Sequence, residues 1–209
     1  MSAADACLAC GGALGRGPAL EYGRALAVCG QCGHGVLTPP PSDAELDAAY
    51  RGAYGNEGSK FRPLIERAVR LAARREAGEL AALLPAANRS VLDVGCGRGL
   101  LLGALAEAGI SCVGVERSRD AALGLDPRVQ LVVAPSLEDA ALLPASFGAI
   151  TFRHSLEHLR SPLAALRAAH ALLAPGGALI VEVPNLASMQ ARALGRHWFH
   201  LDPPRHLHH

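Results

Sequence analysis

The chain has 209 residues, half of them apolar, 19% charged and only 4% aromatic, enough for one ordinary core and a small appendage. Its 20 basic and 19 acidic side chains leave a formal charge of +1, without the basic excess that gripping a nucleic-acid backbone usually demands. The longest apolar stretches, such as Ala164 to Leu173, are broken by Arg167 and His170, far short of the ~20 clean residues of a membrane span.

Residues 1 to about 38 hold four of the six cysteines. Met1 to Asp5 offers neither a basic start nor an apolar signal core, so a cytoplasmic protein is expected, with metal-bound or buried thiols in place of disulfides. Cys7-Leu8-Ala9-Cys10-Gly11 and Cys29-Gly30-Gln31-Cys32-Gly33 are two copies of one pattern. Two thiolates separated by two residues can turn onto one metal, and the glycine that follows lets the turn close. Two such knuckles predict a zinc ribbon with Cys7, Cys10, Cys29 and Cys32 as ligands, a redox dithiol or an iron site being the alternatives. His34 reads as a surface residue beside a complete site. Such a closed site does no chemistry; it replaces the core that so few residues cannot build.

Pro39-Pro40-Pro41 makes a stiff break, and Ser42 with Glu45 forms a capping box ahead of a helix through Leu46, Ala49 and Tyr50. A longer amphipathic helix is predicted from about Pro63 to Leu84, with Leu64, Ala68, Leu71, Leu80 and Leu83 among its apolar positions, ended by Pro85. The chain thus divides into a ribbon over 1–38, a linker and helical region over 39–84, and a third domain over 85–209.

From Ser90 onward strands alternate with helices. Strands are predicted at Val91–Val94, Cys112–Val115, Val129–Ala134, Ala149–Phe152 and Ala178–Val183, and helices over Leu100–Ala108 and from Pro162 to Pro175-Gly176-Gly177. That alternation implies an α/β fold with a parallel sheet and helices on both faces. Cys96 and Cys112 read as packing thiols, and His170 as a surface residue.

The first of these strands runs into Gly95-Cys96-Gly97-Arg98-Gly99, a loop that allows a tight turn and close backbone approach to a ligand. Alone it is weak, since phosphate-binding and structural turns look alike. Two acids sharpen it. Asp93 stands just before the glycines, where a ligand ammonium could be held and a pyrophosphate would be unwelcome. Glu116 ends the second strand, where an acid can take both ribose hydroxyls. A nicotinamide-dependent dehydrogenase is the competing reading, although the spacing is Gly-x-Gly-x-Gly and not Gly-x-Gly-x-x-Gly.

The stretch Leu92 to Gly99 resembles the first motif of class I S-adenosylmethionine-dependent methyltransferases. The likeness continues through Glu116, Phe152-Arg153-His154-Ser155-Leu156-Glu157-His158-Leu159 and Leu172 to Leu179, covering roughly residues 85 to 209. The resemblance implies a Rossmann-like sheet in which Asp93, Gly95, Cys96, Gly97 and Gly99 surround the methionine part of S-adenosylmethionine. It further implies Glu116 at the ribose, Ser136, Leu137 and Glu138 beside the adenine, and Arg117 and His154 among the donor-binding residues. Two departures stand out. Phe147-Gly148-Ala149-Ile150 lacks the acid many relatives carry there, and the chain reaches His209 without the family's sixth and seventh strands, as a C-terminally truncated member would.

Methyl transfer from a sulfonium needs a positioned acceptor and a group to take its proton, for which histidine suits a hydroxyl near neutral pH. His158 and His206, beyond strands expected to lie side by side, are the predicted catalytic pair. His154, Glu157 and His158 at i, i+3 and i+4 would share one helical face, where some quinone O-methyltransferases have an acid-and-histidine cluster. The expected function is methyl transfer to a small-molecule acceptor, such as a sugar, cell-envelope or natural-product precursor. Nucleic acid is not expected as a partner, although zinc-ribbon ribosomal-RNA methyltransferases are the alternative within the family. A non-catalytic donor-binding module is the alternative outside enzymes.

Overall fold

The computed structural model describes residues 6–54 and 63–209. The leader reading on residues 1–5, Lys60 and the side chain of Leu64 lie outside what is described. Contacts gather the described residues into two units that the chain visits in turn. One draws on residues 6–54, 156–163 and 183–209, the other on 63–155 and 164–182.

The first unit opens with three antiparallel strands, β1 (Leu14–Ala19), β2 (Ala25–Cys29) and β3 (Gly35–Thr38), in that spatial order. Tyr22 and Gly23, both with positive φ, make the β1–β2 turn, as the twist of a two-residue hairpin requires. Helix α1 (Asp43–Tyr54) starts at the expected capping box. The Ser42 N–H and hydroxyl each donate to Glu45 Oε2 at 2.7 Å, and the Glu45 N–H donates back to Ser42 Oγ at 3.3 Å. The other Glu45 oxygen, Oε1, meets Arg24 Nη2 at 2.5 Å. Arg24 is buried, and Pro39 O accepts a hydrogen bond from its Nη1. One carboxylate therefore caps a helix and neutralises a buried cation, and its Ser42 hydrogen bonds, with Arg24, hold it below the ordinary glutamate range.

The second unit is an α/β sheet. Helix α2 (Pro63–Leu83) precedes β4 (Ser90–Val94), α3 (Leu100–Glu107), β5 (Ser111–Glu116), β6 (Gln130–Val133), β7 (Phe147–Arg153), α4 (Pro162–Leu172) and β8 (Leu173–Glu182). All four pairings are parallel, in the order β6-β5-β4-β7-β8. The expected strands are all present. The core joins α2 to α3 and the sheet through Ala77, Leu80, Leu84, Leu101, Leu102, Leu105 and Val91.

Several expectations need correction. The buried stripe of α2 is Ala73, Ala77 and Leu80, continued by Leu84, whereas Ala68, Leu71 and Leu83 are exposed. Leu80 and Leu84 join Ala77 in the core shared with α3, whereas Leu71 and Leu83 point away from it. Helix α4 stops at Leu172, three residues before Pro175. Pro175-Gly176-Gly177 lies inside β8, where the register jumps from Phe147↔Leu173 to Ala149↔Ala178. Among the described residues no α-helix joins β5 to β6 or β6 to β7. Gly124, Pro127, Pro135 and Pro144, with left-handed Ala141 and Ala145, break those connections. Leu102, fully buried between α3 and the sheet, anchors this core. Leu102→Ala is expected to cost about 2–5 kcal/mol in denaturant unfolding; a loss under 1 kcal/mol would contradict that placement.

The chain then returns to the first unit through α5 (Met189–Leu194), capped by Ser188, whose Oγ accepts the Ala191 N–H at 3.1 Å. Ala191, Trp198 and Leu201 pack with Leu26 of β2, and Leu207 packs with Leu37 and Leu46.

Candidate functional site

Strand order reverses at β4: β5 and β6 lie to one side, β7 and β8 to the other. In parallel sheets the crevice outside the carboxyl ends at such a point is where ligands bind. Asp93 and the glycine loop stand there. Gly95, Gly97 and Gly99 all adopt positive φ. At Gly95 a Cβ would fall 2.6 Å from Ser155 Cβ, so a side chain is barred by space as well as by conformation. Gly97 has nothing within 4 Å of where its Cβ would be, leaving the loop open on that side.

Asp93 is 4% exposed and receives the Thr151 hydroxyl, its cross-strand neighbour, at 2.6 Å. Burial pushes its carboxyl up to about 6, against the pull of that hydrogen bond and of Arg153. Glu116, at the end of β5, is also buried. Its Oε1 accepts the Gly97 N–H at 2.7 Å and its Oε2 the Arg117 N–H at 3.1 Å. The two acids thus flank one loop, Asp93 beneath it and Glu116 hydrogen-bonded to its middle.

Cys96 packs against the core cluster, in space that Gly114 provides; a Cβ there would come within 2.5 Å of its sulfur. Burial pushes the Cys96 thiol up to about 12, so it is a packing group. The Arg117 side chain is exposed. After β6, Leu137 is buried, Glu138 is exposed, and Ser136 Oγ donates to Asp139 Oδ2 at 2.7 Å. His154 takes a left-handed conformation (φ 50°) beside Glu182, with 3.4 Å from Nε2 to Oε1. Thr151 and Ser155, whose hydroxyl donates to Val94 O at 2.6 Å, were not singled out from the sequence. Thr151 is revealed by its pairing opposite Asp93, and Ser155 by its contact with Val94 O and its closeness to Gly95.

In the first unit the four cysteines come together, with donor sulfurs all within 4.8 Å of one another. Cys7 and Cys32 sulfurs are 3.6 Å apart, and those of Cys10 and Cys29 are 3.5 Å apart. A tetrahedral site with 2.3 Å metal–sulfur bonds has edges of about 3.8 Å. The knuckles match: the Gly11 N–H donates to Cys7 O at 2.8 Å and the Gly33 N–H to Cys29 O at 2.9 Å, both glycines having positive φ. Backbone N–H groups of Cys32 and Gln31 lower the Cys29 thiol to about 6, favouring its thiolate. His34, expected on the surface, is instead half-buried, its Nδ1 3.4 Å from Cys7 Sγ.

The same unit holds His158 and His206, ring centroids 4.6 Å apart at 76°. A backbone carbonyl only accepts, so His158 Nδ1–H donates to Arg205 O (3.0 Å) and His206 Nδ1–H to His200 O (2.6 Å). Each ring is left with Nε2 as its acceptor nitrogen. Burial, then the neighbouring His158, lowers His206 to about 4, keeping it neutral at pH 7. Buried Glu157 offers a carboxylate oxygen within 4.8 Å of ring nitrogens of both histidines. His154 is not a member of this cluster.

Residues 62–209 match a family described as a methyltransferase domain, and the chain belongs to that family. Ubiquinone biosynthesis O-methyltransferase of Xanthomonas campestris pv. campestris is 40% identical over 114 residues, 49% of this chain and 45% of the relative. The enzyme of that name from Ralstonia nicotianae is 32% identical over 145 residues, 66% of this chain and 58% of its own length. The chain spans about half the length of the curated relatives it matches. Among solved structures, the CcbJ methyltransferase from Streptomyces caelestis aligns at a TM-score of 0.49 and 28% identity, over 55% of this chain and 50% of that one. Among the described residues no helix is long and apolar enough to cross a membrane.

Proposed function

We propose that this chain transfers a methyl group from S-adenosylmethionine to a hydroxyl of a small-molecule acceptor, with a structural zinc held by Cys7, Cys10, Cys29 and Cys32. The observation that carries the reading is the pair of buried carboxylates, Asp93 and Glu116, at the carboxyl ends of adjacent parallel strands on either side of an open glycine loop. A dinucleotide loop would place no buried acid at Asp93.

The sulfonium supplies an already activated methyl group, so the protein mainly binds and orients. Asp93 would take the donor's ammonium, Glu116 its ribose hydroxyls, and the Gly95–Gly99 backbone would border the methionine part. Ser136, Leu137 and Glu138 would flank the adenine. On the acceptor side, the Nε2 atoms of His158 and His206 can take a proton from a hydroxyl, with Glu157 stabilising the resulting imidazolium. The oxygen acceptor follows the names of the relatives, and the balanced charge favours a small molecule over nucleic acid. A cytoplasmic setting suits unpaired thiols; none of the six cysteines is in a disulfide. Turnover across phenols, sugars and nucleotide sugars tests the reading, and Asp93→Asn is expected to abolish it with every acceptor.

The raised Asp93 pKa gives this site a pH signature. Its stability contribution is greatest below the ordinary aspartate value and is lost as pH rises through about 6, where a buried charge must be carried. Donor binding has the opposite sign, because the ammonium needs the ionised form. Affinity for S-adenosylmethionine is expected to rise with pH by up to about tenfold per unit between pH 5 and 6 and then to level off. Calorimetry over pH 5–8 checks it: the same dependence surviving in Asp93→Asn would remove the assignment.

A further inference from the structure

Strand β3 is followed on its outer side by the last residues of the chain. The Gly35 N–H donates to His209 O and the His209 N–H to Gly35 O, both at 2.9 Å, and the Leu37 N–H donates to Leu207 O at 3.0 Å. Val36 and His208 are antiparallel partners. The tail therefore pairs with the outer edge of β3 through a single antiparallel bridge flanked by backbone hydrogen bonds, and the residue before Leu207 is His206. On its other side the Leu207 N–H donates to Glu157 O at 2.8 Å, so the tail lies between β3 and the segment bearing Glu157 and His158.

Side chains make a second link. His34, two residues after Cys32, has Nδ1 3.4 Å from Cys7 Sγ and Nε2 3.3 Å from His208 Nδ1. The His34 and His208 rings stack with centroids 5.3 Å apart and planes within 10°. His208 is 8% exposed. A continuous path runs from a cysteine of the cluster, through two imidazoles, to the tail segment that carries His206. The fit is close at Gly35, where a Cβ would lie 3.2 Å from His209, Leu186 and Leu26 side-chain atoms.

We propose that His208 is a positioning residue: with His34 and the β3 pairing, it makes the cysteine knuckles set the geometry of the His158–His206 pair. The ribbon is then a clamp on the proposed acceptor side of this enzyme, and metal occupancy at four cysteines decides whether the tail is held. The proposal rests on the zinc and acceptor-side readings above, and its test separates the three. A tail held only by its own apolar contacts, Leu207 on Leu37 and Leu46, would not respond to the metal.

The experiment uses the full chain loaded with zinc, with metal content measured directly and amide exchange and histidine side-chain resonances followed before and after chelation. Removal of the metal is expected to lower protection of the Leu207 and His209 amides at least tenfold and to shift the His158 and His206 ring signals, leaving Leu92 and Ile150 of the parallel sheet unchanged. His208→Leu is expected to keep one zinc per chain yet move the His158 and His206 signals and lower kcat more than it alters donor affinity. His208→Gln, which retains a polar partner for His34, should restore part of both. Stoichiometric zinc whose removal leaves Leu207 and His209 protected overturns the proposal while sparing the zinc reading. Absence of zinc overturns both. Shifted ring signals with unchanged kcat in His208→Leu remove His206 from the acceptor side.

Discussion

Glu116→Ala is expected to weaken binding of S-adenosylmethionine by more than tenfold, a loss of roughly 1.5–3 kcal/mol for one buried hydrogen-bonding carboxylate. The effect has two sources in the structure. The carboxylate would accept from the donor's ribose, and it already receives the Gly97 N–H at 2.7 Å, fixing the middle of the loop. Glu116→Gln separates them, because the amide oxygen still accepts the Gly97 N–H while the charge is lost. Gln should therefore retain the loop and fall between wild type and Ala in affinity. Calorimetry showing wild-type affinity in the Ala variant would refute the ribose assignment.

Cys29→Ser is expected to drop metal content well below one zinc per chain and to loosen the unit built on β1–β3. Cys29 is nearly fully buried and ends β2, so its sulfur belongs to both the knuckle and the ribbon core. A ribbon this small has little apolar burial to fall back on, and a structural metal contributes its binding free energy directly to folding. The loosening should appear as faster proteolysis and amide exchange across β1–β3, with the five-stranded sheet keeping its protection. Undiminished zinc in the variant, or none in wild type prepared without chelators, would discard the site.

The parallel sheet was legible in the sequence because its strands are short apolar runs bounded by glycine and proline, and because Asp93 and Glu116 sit at strand ends where local pattern alone marks them. The cysteine cluster was legible for the same reason: two identical knuckles specify their geometry locally. The capping box at Ser42 and Glu45 belongs with them. What local pattern misses is everything decided by partners distant in sequence. Leu71 and Leu83 are apolar positions of α2 like Leu80, yet only Leu80, with Ala73, Ala77 and Leu84, is on the buried side, because which stripe faces the core is set by the elements packed against it. Pro175-Gly176-Gly177 looks like a helix stop and is a register break within a strand. His34 looks like a bystander, and only the pairing of residues 207–209 with β3 shows what it touches. The grouping of residues 6–54 with 156–163 and 183–209 has no sequence signal at all, since it joins segments separated by more than a hundred residues.

A calorimetric titration of the full chain with S-adenosylmethionine, repeated with a nicotinamide dinucleotide and with Asp93→Asn, separates a methyl-donor site from a dinucleotide site. Saturable binding of one S-adenosylmethionine per chain is expected, with at least tenfold loss of affinity in the variant and far weaker heat from the dinucleotide. Tighter binding of the dinucleotide, or unchanged S-adenosylmethionine affinity in Asp93→Asn, would contradict the methyl-donor site.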